Sequence, residues 1–135
     1  MHPPPSTRTP AVARTLIVDE NPLLSLGVRQ LVESETGLCF VDTCATARDA
    51  LAILATTPAD LVILELSETN GAGMDPIQEL RAHHPHLRIL VLSSQPEEVF
   101  AQRAIQAGAS GFVSRSEEHT SELPVTPISR MPSSA

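Results

Sequence analysis

Residues 61–67 read LVILELS, a run of aliphatic side chains that carries one charge, Glu65. Apolar residues at consecutive positions bury both faces of a strand. That pattern belongs to the centre of a parallel sheet rather than to a half-exposed strand, which alternates. A lone carboxylate at the end of such a run is costly to bury. Glu65 therefore needs a reason to be there.

The flanking sequence repeats the strand signal at regular intervals. Thr15–Val18 (TLIV) reads as a short buried strand, broken by Asp19, Glu20, Asn21 and Pro22. From Leu23 to about Glu35, Leu23, Leu24, Leu26, Leu31 and Val32 fall at roughly helical spacing, and Gly37 ends that helix. Leu38–Thr43 predicts a second strand. Ala47–Thr56 predicts a helix with Leu51 and Leu54 turned inward and Pro58 beyond its end. Beyond the 61–66 strand, a loop covers Ser67–Asp75. Pro76 then suits the first turn of a helix that runs to His84 and stops at Pro85. Arg88–Leu92 predicts a fourth strand, Glu97–Ala107 a helix with Gly108 at its C-terminal cap, and Gly111–Val113 a fifth strand. Strands alternating with helices at this spacing predict an α/β fold, a doubly wound parallel sheet. In such sheets the functional crevice lies outside the carboxyl ends of the strands.

Composition narrows the function classes. The 135 residues suit one domain. With 41% hydrophobic but only 2% aromatic residues, the core must be aliphatic. A net charge of −7 argues against a nucleic-acid-binding surface in this stretch. No apolar run is long enough to span a bilayer and no signal-peptide pattern opens the chain, so the expected location is the cytoplasm. Residues 1–13 are rich in Pro, Ser and Thr and read as a disordered leader. Cys39 and Cys44, an odd number of positions apart, fall on opposite faces of one strand. They read as buried thiols rather than a disulfide.

The predicted strand ends deliver Asp19 and Glu20, then Glu65, then Ser93, with Ser114 near the end of the fifth. One acid at a strand end is ordinarily a helix cap or a solvated charge. Three acids converging on one cleft repel one another and call for a cation. Hard oxygen ligands in small number suit Mg²⁺. A hydroxyl beside them can contact an anionic oxygen. Other chemistries lack their motifs, and the expectation is that the chain is not an enzyme. There is no phosphate-binding Gly-x-x-x-x-Gly-Lys and no Gly-x-Ser-x-Gly elbow. His83, His84 and His86 surround Pro85, which splits any ligand geometry, and they read as a solvated helix end.

TLIVDENPLLSLGVRQLVES, ADLVILELS, RILVLSS and QAGASGFV together resemble the receiver domain of bacterial two-component response regulators. The group is the one whose receivers precede a LuxR-type helix-turn-helix output domain. The resemblance covers about residues 14–114 and implies a flavodoxin-like fold with strand order 2-1-3-4-5. It implies phosphoryl transfer from a sensor histidine kinase onto an aspartate, with Mg²⁺ held by an acidic pair and that aspartate. Asp19 and Glu20 match the acidic pair, Ser93 the hydroxyl that contacts the phosphoryl group, and Phe112 the aromatic switch. The backbone carbonyl of Ser67 matches a further metal ligand. It also implies a possible receiver homodimer as a partner, with DNA contacted only through an output domain outside this chain.

Glu65 occupies the phosphoacceptor position, where the family uses Asp. One extra methylene carries the carboxylate about 1.5 Å further, roughly one carbon–carbon bond. Transfer depends on fine placement, so the expectation is a divergent receiver that phosphorylates poorly. The alternative is a pseudo-receiver, a protein-interaction module independent of phosphate. The loop after Glu65 is about three residues longer than usual, and Gly71 and Gly73 suggest mobility there.

Arg115 falls at the family's lysine position. Residues 115–123, RSEEHTSEL, and 129–135, SRMPSSA, back-translate in order to two parts of a common sequencing adapter. The tail 115–135 therefore reads as non-native and disordered, with the fifth helix missing. The expected consequence is an uncovered apolar patch on one sheet face.

Overall fold

The computed structural model describes residues 12–66 and 73–115. Nine elements follow in strict alternation: β1 (Ala13–Val18), α1 (Pro22–Glu33), β2 (Leu38–Cys44), α2 (Ala47–Leu54), β3 (Leu61–Leu66), α3 (Asp75–His83), β4 (Arg88–Ser93), α4 (Glu97–Ala107) and β5 (Gly111–Ser114). The strands form one parallel sheet in the order β2-β1-β3-β4-β5. The predicted flavodoxin-like architecture is therefore the observed one. Among the described residues there are four helices. The leader up to residue 11, the loop 67–72 and the tail 116–135 lie outside the described residues, as does Ser67.

β3 lies at the centre, as its two-sided apolar run requires. Val62 and Leu64 face a large cluster with Leu16, Val18, Ile77, Leu80, Ile89 and Val91, all fully or almost fully buried under α2, α3 and α4. The opposite face carries Ile17 and Ile63, packed with Val32 of α1 and with half-buried Leu61, Leu90 and Leu92. On this face of the sheet Ile63 and Val113 are each 7% exposed.

Three further expectations are corrected. β1 begins at Ala13, within the segment read as leader, because its N–H donates to the carbonyl of Gly37 at 2.9 Å. α1 buries Val32 and Ser25, while Leu23, Leu26 and Leu31 are exposed, Leu23 by 79%. The helix covers only the β1–β2 side of the sheet, so a narrow stripe suffices. Cys39 is exposed rather than buried, because β2 is an edge strand. Cys44 is half-buried, and burial pushes its thiol up to about 11.

Local sequence explains where the helices begin. Asn21 caps α1: its side chain accepts the N–H groups of Leu23 (2.9 Å) and Leu24 (3.4 Å), with Pro22 in the first turn. Thr46 caps α2 by accepting the Asp49 N–H at 3.1 Å. At the far end of the molecule, Arg81 of α3 donates to the carbonyls of Gly108, His84 and Pro85 at 2.8–3.1 Å. That side chain ties the C-terminal ends of α3 and α4 together. Gly108 has φ +124°, and an added Cβ would meet Arg81 Cβ and Cγ at 3.0 Å.

Candidate functional site at the strand ends

The carboxyl ends of β1 and β3 open into a cleft of about 680 Å³. Asp19, Glu20, Glu65, Thr46, Ser94 and Arg115 are among the residues that line it. The sequence pattern predicts the three acids at one edge, and the fold brings all three to this cleft.

Asp19 is 8% exposed. Its Oδ1 accepts the Asn21 N–H at 2.8 Å, which fixes the turn into α1. Burial raises its pKa. The Asn21 N–H and the Arg115 charge oppose that rise, while Glu20 adds to it. Glu20 is exposed at the rim.

Glu65 lies deeper. Its side chain is 11% exposed, and Oε2 accepts from Nη2 of Arg115 at 2.5 Å. Oε1 of Glu65 and Nε of Arg115 are buried, with no hydrogen-bond partner among the described residues. Burial raises the Glu65 pKa. Arg115 opposes this through its hydrogen bond and its charge, and Asp19 pushes further upward. The Arg115 charge thus opposes the rise at both inner carboxylates, and its contact with Glu65 joins residues 50 positions apart that no local pattern announces.

Ser93, at the end of β4, is fully buried, and it faces Ser114 across the β4–β5 pair. Ser93 Oγ accepts the N–H of Gln95 at 3.0 Å. Ser114 Oγ donates to the carbonyl of the same Gln95 at 2.9 Å. The Arg115 N–H donates to the Ser93 carbonyl at 2.6 Å. Phe112 is 4% exposed, turned into the core between β4 and α4. The role of the Gln95 peptide was not foreseen from the sequence, since backbone groups leave no residue-type signal.

The residues fit a divalent cation in kind. The donors are carboxylate oxygens, and the orphaned Glu65 Oε1 is an atom that a cation would satisfy. They are not drawn together as a ligand set: among the described residues, no three His, Cys, Asp or Glu side chains are grouped closely enough to hold a metal. The Arg115 guanidinium partners Glu65 Oε2 in this arrangement. The histidines around Pro85 border a separate hollow with Asp60, whose carboxylate is paired to Arg14 at 3.1 Å.

The pattern of the response regulator receiver domain matches residues 15–123. The chain belongs to that family. The match runs past Ser114, into the segment read as adapter-derived. The Fimbriae Z protein of Salmonella typhimurium strain LT2 is 36% identical over 103 residues, which cover 76% of this chain and 49% of that protein. A LuxR-family two-component response regulator from Aurantimonas sp. SI85-9A1 superposes with a TM-score of 0.71 at 30% identity, covering 80% of this chain and 77% of that one. RcsB of Salmonella enterica serovar Typhimurium, bound to promoter rprA with phosphomimetic BeF₃⁻, shares the fold at a TM-score of 0.66 and 21% identity, covering 76% of this chain and 59% of that one. The chain spans about half the length of the curated relatives it matches. Among the described residues, no helix is long and apolar enough to cross a membrane.

Proposed function

We propose that this receiver works in a two-component pathway with Glu65 in place of the phosphoacceptor, so that its cleft accepts a phosphoryl group poorly. The observation that carries this reading is Glu65 itself, a buried carboxylate at the end of the central strand, beside Asp19 and one residue out of register with Ser93. Strand β3 sets the backbone position, so the extra methylene carries the carboxylate further toward the space a phosphoryl group would need. The carboxylate then stands partly where the anion would be. This supports a domain that is weakly active without phosphate.

A sensor histidine kinase is the proposed partner, as for the family. Asp19, Glu20 and Glu65, with the Ser67 carbonyl, would hold Mg²⁺, which would supply positive charge opposite the oxygens of a phosphoryl donor. Ser93 would offer its hydroxyl to such an anion, and Phe112 would follow its movement. Gene regulation would act through a DNA-binding domain outside these residues. Residues 14–114 form the receiver in this reading, and sequencing the source gene past Ser114 checks the adapter origin of 115–135.

Mn²⁺-induced broadening of NMR resonances, with Mg²⁺ competition, tests the site without relying on phosphorylation. Selective broadening of the Asp19–Asn21 and Glu65 amides that Asp19→Asn weakens supports the reading. Absence of any site-selective effect contradicts it and favours the pseudo-receiver, a protein-interaction module on the same fold.

A further inference from the structure

We propose that Ser114 is a positioning residue for the switch hydroxyl: together with Ser93 it clamps the Gln95 peptide and restrains the β4–α4 connection. Its functional arm rests on the reading of the strand-end site given above. The clamp itself stands on geometry alone.

Ser93 and Ser114 are direct partners across the β4–β5 pair. From that one register position the two hydroxyls grip opposite ends of a single residue's backbone. Ser93 Oγ takes the Gln95 N–H at 3.0 Å, and Ser114 Oγ gives its proton to the Gln95 carbonyl at 2.9 Å. Both serines are buried, at 0% and 9% exposure, so water does not readily replace either bond. Gln95 lies two residues before the start of α4, with Pro96 between. Anchoring its peptide on both sides fixes how the chain leaves β4 and enters α4.

The arrangement opposes any displacement of Ser93. Moving its oxygen toward an anion at the Glu65 position lengthens the bond to the Gln95 N–H, unless Gln95 follows. Gln95 cannot follow while Ser114 holds its carbonyl. Releasing Ser114 therefore frees both the loop and the switch hydroxyl. A hydroxyl at position 114 is needed for this, and side-chain bulk is not.

Amide hydrogen exchange of Gln95 in the full chain tests the clamp, comparing Ser114→Ala, Ser114→Val and Ser114→Thr. Loss of one net hydrogen bond predicts about threefold to tenfold faster exchange at Gln95 in the Ala and Val variants. Exchange at Val62 and Ile63 in β3 should stay unchanged, and the Thr variant should restore the original rate. Val and Thr have the same shape, so a Gln95 rate equal in those two variants overturns the clamp. The functional arm uses the Glu65→Asp background, titrated with beryllium fluoride and Mg²⁺. There Ser114→Val should lower the half-saturating concentration by about threefold to tenfold relative to Ser114→Thr, the same fold-change freed at the loop. An unchanged or higher midpoint overturns the restraint on Ser93. Failure of the Glu65→Asp chain to bind beryllium fluoride at all counts against the site reading, and the exchange comparison still decides the clamp.

Discussion

Among the described residues, Arg115 is the hydrogen-bond partner of the nearly buried Glu65 carboxylate, and Arg115→Ala removes it. Glu65 Oε1 already lacks a hydrogen bond, and Oε2 is held by Arg115, so the substitution leaves neither oxygen with its present partner. Stranding a buried acceptor costs about 1–3 kcal/mol. The lower half of that range applies here, because the Arg115 side chain is 31% exposed and its charge is partly screened. For a domain of this size about 1 kcal/mol corresponds to roughly 4–8 °C in melting temperature.

The pH dependence has a definite sign. Burial already holds the folded pKa of Glu65 above its ordinary value of 4.5, and Arg115 is the group that limits the rise. The folded state therefore binds the proton more tightly than the unfolded state. The favourable contribution is complete below the unfolded value and is lost as pH rises through the folded one. Removing Arg115 moves the folded pKa further up and extends that loss toward neutrality. Urea denaturation in EDTA, at pH 4.5 and pH 7, measures both points. The substitution should cost little at pH 4.5 and its full amount at pH 7, with unchanged m-values. An equal cost at both pH values, or a cost below about 0.3 kcal/mol at pH 7, within the usual error of additivity, refutes the reasoning.

Two further substitutions test the frame around the site. Arg81→Ala deletes a side chain that donates to three carbonyls at the ends of α3 and α4; it should lower stability by about 2–4 kcal/mol in urea unfolding, several net hydrogen bonds at once. Asn21→Ala uncaps α1 next to Asp19 and should cost about 1 kcal/mol, with chemical-shift changes concentrated at Leu23 and Leu24.

Much of this architecture was legible because the decisive segments are short, apolar and strongly periodic. The bounds of β3 and α4 follow directly from LVILEL and from the stretch between Pro96 and Gly108. The arrival of Asp19, Glu20 and Glu65 at one cleft followed from strand ends in a parallel sheet. What escaped depends on contacts distant in sequence. Ala13 joins β1 because Gly37 offers a carbonyl, although its neighbours look like leader. Leu23, Leu26 and Leu31 share helical spacing with Val32 but face solvent, because spacing does not say which arc meets the sheet. The Arg115–Glu65 contact likewise joins residues 50 positions apart, and no local motif announces it.

The proposed function requires that Glu65 stand at the phosphoacceptor position and handicap transfer. Phosphate-affinity gel electrophoresis after incubation with acetyl phosphate and Mg²⁺ tests it directly, using the chain as it stands beside Glu65→Asp and Glu65→Gln. The unaltered chain should give little or no shifted band, Glu65→Asp a clear band and Glu65→Gln none. A stoichiometric band from the unaltered chain that disappears in Glu65→Gln would contradict it.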